Sequence, residues 1–65
     1  MKSYSSKDII KIIKKDGWIL ARVEGSHYVF RHDVKNGIVV VPNPRKDLPI
    51  KTVKNIFAQA GLSID

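Results

Sequence analysis

Residues 18–32, WILARVEGSHYVFRH, decide the fold. Trp18–Glu24 and His27–His32 are rich in aromatic and β-branched residues, and Gly25-Ser26 between them suits a two-residue type II′ hairpin turn. Such a turn sets Glu24 opposite His27, Val23 opposite Tyr28, Arg22 opposite Val29, Ala21 opposite Phe30, Leu20 opposite Arg31 and Ile19 opposite His32. Side chains alternate between the faces of a strand, so Ile19, Ala21, Val23, Tyr28 and Phe30 are expected on one side, and Arg22, Glu24, His27 and Arg31 on the other. The first side reads as core. Slipping one strand by a residue would bring arginines among the aromatics, which favours this register.

Working outward, Ser5 and Asp8 form a variant of the capping box, and Ile9, Ile10, Ile12 and Ile13 repeat at helical spacing until Asp16-Gly17. A helix is expected over about Ser6 to Asp16, with Lys7, Lys11 and Lys14 on its outer face. Trp18, directly after the reversing glycine, is expected to pack between helix and sheet rather than to stack on a base. On the other side of the hairpin, Asn36-Gly37 suits a turn, and a third strand should run from about Gly37 to Val41 until Pro42 and Pro44 end it. Pro49 fits the first turn of a second helix whose stripe is Ile50, Val53, Ile56, Phe57 and Ala60, closed by Gly61. The order is helix, strand, strand, strand, helix over a single domain, residues 1–65. This is an α+β arrangement in which two helices cover one face of a three-stranded antiparallel sheet and leave the other open.

A chain of 65 residues has room for one thin core, so chemistry is expected on an open face where a polymer can lie. The 12 Lys and Arg outnumber the 6 Asp and Glu, for a formal charge of +6. Polyanions are the natural partners, with nucleic acid first and an acidic protein second, although a solvated basic surface has the same composition. Cysteine is absent, which excludes thiolate chemistry and fits a reducing compartment. No signal-peptide core follows Met1, and the longest apolar run, Ile38 to Val41, is far short of a membrane span. A cytoplasmic protein without membrane attachment is expected.

His27 and His32 are separated by an odd number of residues on one strand and project to opposite faces, so no metal site is expected, and no cofactor either. The remaining chemistry is metal-free proton transfer by a histidine. RNA supplies a matching reaction, in which its 2′-hydroxyl attacks the adjacent phosphate. His27 stands opposite Glu24 and near Arg22 and Arg31, where a carboxylate can orient the ring and arginines can grip phosphate. An ordinary exposed turn histidine fits the same pattern. His32 reads as structural. Arg45, Lys46, Lys51 and Lys54 are expected to gather at the start of the second helix as phosphate contacts or as a solvated face, with Lys7, Lys11 and Lys14 the weaker set.

Asp16-Gly17-Trp18, Gly25-Ser26-His27-Tyr28-Val29-Phe30, the segment Val41-Pro42-Asn43-Pro44-Arg45-Lys46-Asp47-Leu48-Pro49, and Ala60-Gly61-Leu62 together resemble the HicA toxins over nearly the whole chain. The resemblance implies a double-stranded-RNA-binding-domain-like α-β-β-β-α fold, cleavage of mRNA that arrests growth, and a cognate HicB-like antitoxin. It implies that the toxin is monomeric when free and hetero-oligomeric with its antitoxin. It also implies that His27 is catalytic, with Gly25 in the same motif. Many relatives carry a histidine in the proline-rich loop where this chain has Asn43, which removes one candidate for a second proton-transfer group. The expected catalytic set is therefore His27, Gly25 and Glu24, and the expected RNA contacts are Arg22, Arg31, Arg45, Lys46, Lys51 and Lys54. Two other roles fit the same surface: an RNA-binding module without activity, and a domain whose basic surface meets an acidic partner.

Overall fold

The computed structural model describes residues 3–62. Its elements are α1 (Ser6–Lys15), β1 (Trp18–Glu24), β2 (His27–His32), β3 (Ile38–Pro42) and α2 (Ile50–Ala60). α1 opens on the expected capping box. The Asp8 N–H donates to the Ser5 hydroxyl and the Ser5 N–H to the Asp8 carboxylate, each at 3.1 Å. α1 stops at Lys15, one residue earlier than expected, because Asp16 is the C-cap and Gly17 reverses the chain at φ 104°. α2 starts after Pro49 and not with it, since Pro49 holds an extended ψ of 141°. Gly61 closes α2 in the left-handed conformation, φ 70°.

The strands form one antiparallel sheet in the order β1-β2-β3. At the hairpin, Gly25 has φ 59° and Ser26 does not have a positive φ, the pattern of a type II′ turn. Near the turn the register is the expected one: Glu24 with His27, Val23 with Tyr28, Arg22 with Val29. A bulge then sets Ala21 out of the ladder, and beyond it Leu20 faces Phe30, Ile19 faces Arg31 and Trp18 faces His32. Three expectations change as a result. Ile19 turns to the open face at 40% exposure, Ala21 leaves the core, and Leu20 moves to the helix side at its rim. The extra residue brings the indole of Trp18 inward instead, to 2% exposure, a larger apolar burial than Ile19 offers.

Ile9, Ile13, Trp18, Phe30, Val39, Val41, Val53 and Phe57 form the centre of the core between helices and sheet, with Ile10 and Ile12 packed at its margin. Ile50, expected in the buried stripe of α2, is 41% exposed because it stands at the first helical position, at the edge of the contact with the sheet. Ser6 is 1% exposed, and its hydroxyl donates to the Pro42 carbonyl at the end of β3.

His32 ties the opposite end together. Its Nε2–H donates to the Asp16 carbonyl at 2.8 Å, while Nδ1 accepts the N–H groups of Val34 and Lys35, both at 3.0 Å. These three partners fix the neutral tautomer. The ring also meets Trp18 edge-on at 5.1 Å. Lys35 donates to the Asp16 carboxylate at 2.6 Å and to the Ala60 carbonyl at 3.0 Å, joining the C-terminal ends of both helices. Its ammonium holds the Asp16 carboxyl below the ordinary carboxylate range. The buried Trp18 indole N–H makes no hydrogen bond of normal geometry, although its positive end still favours ionised Asp16. No helix among the described residues is long and apolar enough to cross a membrane.

Candidate nucleic-acid interface

Both helices pack on the face that carries Phe30, Val39 and Val41, so the alternate residues stand on the helix-free face. The ladder arranges them in rungs: Glu24, His27 and Pro42; then Arg22, Val29 and Val40; then Ile19, Arg31 and Ile38. His27 is exposed at the hairpin corner. Val29, on the central strand between Arg22 and Val40, is 3% exposed even though no helix covers it. The open face is thus partly apolar, with Ile19 and Ile38 exposed beside the polar groups.

The expected arginines lie on that face, and carboxylates engage them. Arg22 donates through Nε to Glu24, and Arg31 donates to Asp33 at 2.8 Å. Both pairs are well exposed and contribute under about 1 kcal/mol to stability each. Their effect on the field is larger, because each cation is offset by an anion at contact distance. Glu24 is accordingly turned to Arg22; no hydrogen bond joins it to His27. Gly25 has open space where a Cβ would stand, so glycine serves there for its positive φ and not for room.

Cations without an acidic partner gather elsewhere. Ser5, Lys7, Asn43, Pro44, Arg45 and Lys46 line an open pocket of about 450 Å3 between the start of α1 and the loop after β3. Backbone bonds hold that loop. Asn43 N–H donates to the Ser26 carbonyl at 2.7 Å, Ser6 N–H to the Arg45 carbonyl at 2.9 Å, and Leu48 N–H to the Tyr4 carbonyl at 2.8 Å. The loop therefore bridges the hairpin turn and α1. Arg45 and Lys46, expected at the start of α2, sit against the start of α1 with Lys7, while Lys51 and Lys54 are exposed on α2 and do not line the pocket. Among the described residues Lys7, Arg45 and Lys46 belong to no ion pair. Backbone contacts between distant segments make this cluster, and the linear sequence does not display them. Ser6 was legible in principle, since it precedes Ile9 and Ile13 at helical spacing on the buried face.

His27 and His32 lie on opposite faces, and no group of three metal-ligating side chains occurs among the described residues. The model of the HicA toxin of bacterial toxin-antitoxin systems matches residues 6–62. The chain belongs to the HicA toxin family. The match takes in the hairpin with His27, the 42–46 loop and both helices. A chain of a solved HicA3 and HicB3 toxin-antitoxin complex superposes with a TM-score of 0.81 at 24% identity, covering 95% of this chain and 100% of that one. That likeness shows that the HicA fold extends over the described elements. No curated protein sequence matches the chain.

Proposed function

We propose that this HicA-family chain is an endoribonuclease that cleaves mRNA without a metal ion, with His27 moving the proton. The observation that carries the reading is the place of His27: exposed on the helix-free face, paired in the ladder with Pro42, at the foot of the loop that presents Arg45 and Lys46. In the reaction, the imidazole takes the proton of a 2′-hydroxyl, O2′ attacks the adjacent phosphorus, and the P–O5′ bond breaks as O5′ gains a proton. One histidine supplies one of the two transfers, and water supplies the other. Arg45 and Lys46 bind the phosphate backbone, Arg22 and Arg31 flank the strand, and Lys51 and Lys54 add longer-range attraction. Glu24 acts through Arg22, holding that arginine beside the His27 rung. Gly25 shapes the corner on which the ring stands.

The partner proposed is a HicB-like antitoxin, supported by the family's place in toxin-antitoxin systems and by the complex that the structural neighbour forms. It acts in the cytoplasm, where mRNA is met, by covering His27 and the cationic loop. Inducing the wild-type chain in cells should stop growth, and His27→Ala should not, at equal protein level and unchanged melting. Purified protein should cut single-stranded RNA with chelator present. Cleavage abolished by chelator, or a toxic His27→Ala chain, would overturn the reading.

A further inference from the structure

We propose that the pocket between α1 and the 42–46 loop seats one nucleotide of the RNA strand and reads its base through the Asn43 side-chain amide. The proposal rests on the RNA reading above and names a recognition subsite within it. Asn43 is half-buried, and its main chain is pinned to the hairpin turn by the 2.7 Å bond to Ser26. The residue lines the cavity, and its side-chain amide makes no hydrogen bond to any described residue. An amide offers an acceptor beside two donors, which matches the paired donor and acceptor edges of a base. Unstacked bases of single-stranded RNA present those edges.

The surroundings fit one nucleotide. Pro44 adds an apolar surface, and Lys7, Arg45 and Lys46 supply positive charge for a phosphate. Other cations lack this setting: Arg22 and Arg31 are held by carboxylates, and Lys11, Lys14, Lys51 and Lys54 stand on outer helix surfaces. Asn43 directly follows Pro42, the ladder partner of His27, so a nucleotide in the pocket lies next to the phosphodiester at the imidazole. An acidic peptide would satisfy the lysines but present no base edge to the amide.

Short 2′-O-methyl oligonucleotides, which lack the attacking hydroxyl, separate recognition from cleavage. With one position fixed in turn as A, C, G or U, wild-type affinity should differ by about tenfold between the best and worst base at a single position. Asn43→Ala should reduce that ratio to roughly twofold or less, and Asn43→Asp, which replaces donors with acceptors, should change the preferred base. Arg45→Ala should weaken all sequences alike. The proposal fails if wild type discriminates at no position, if Asn43→Ala keeps the full preference, or if an oligoglutamate peptide and not RNA shifts the Asn43 side-chain NMR signals. Intact ordinary RNA after long incubation, with discrimination preserved, would overturn the nuclease reading and support the base-reading subsite.

Discussion

Replacing Gly17 by alanine should remove a large part of the protein's stability. Gly17 sits at φ 104°, and a Cβ there would stand 2.7 Å from His32 Nε2. Strain at such a φ costs about 1–3 kcal/mol. The displaced ring is the hub of three hydrogen bonds, to Asp16, Val34 and Lys35, each contributing about 1 kcal/mol. Losing between one and all of them adds about 1–3 kcal/mol, and the lower chain entropy of unfolded alanine returns about 0.4–1 kcal/mol. The sum is a loss of roughly 1–6 kcal/mol, against a stability of about 3–10 kcal/mol for a chain of this length. Urea titration followed by Trp18 fluorescence and far-UV circular dichroism measures it. A loss below about 1 kcal/mol would refute the assignment of His32 as the pin of that corner.

Three further outcomes are expected. Ser6→Ala removes the hydroxyl that donates to the part-buried Pro42 carbonyl and should lower stability by about 1–3 kcal/mol in the same titration. The Asp16 carboxyl is depressed in the fold, chiefly by its hydrogen bond to Lys35, so its contribution is present above the unfolded pKa and lost as pH falls through the lower folded value. Stability should therefore fall in acid, below about pH 4, and Lys35→Met should flatten that part of the profile. RNA affinity should weaken with salt, and Arg45→Ala or Lys46→Ala should each reduce the log–log slope by about 0.7, whereas Arg22→Ala, with its charge already paired, should change it less.

Elements and face assignments were legible wherever one local rule decided them. Ser5 and Asp8 announced the start of α1, Gly25-Ser26 fixed the hairpin end, and alternation from that turn put His27, Arg22, Glu24 and Arg31 on one face. The same alternation failed past Ala21, because a bulge leaves no mark in a strand whose residues are all plausible there, and Trp18 competed with Ile19 for the core. The candidate site was legible in which residues share the open face and less so in their grouping. The Gly-Ser-His corner left an ordinary turn histidine open and the HicA resemblance made His27 the candidate, whereas the ion pairs that offset Arg22 and Arg31 depend on side-chain geometry, and the meeting of Lys7 with Arg45 and Lys46 depends on hydrogen bonds across most of the chain.

Single-turnover cleavage of one defined RNA, with chelator present, tests the role of His27 most directly. The His27 side chain is exposed and makes no hydrogen bond to any described residue, so His27→Ala should leave stability within about 0.5 kcal/mol of wild type. Its rate should nevertheless fall by about 100-fold or more. A well-folded His27→Ala chain that cuts at the wild-type rate would show that the imidazole moves no proton in the reaction.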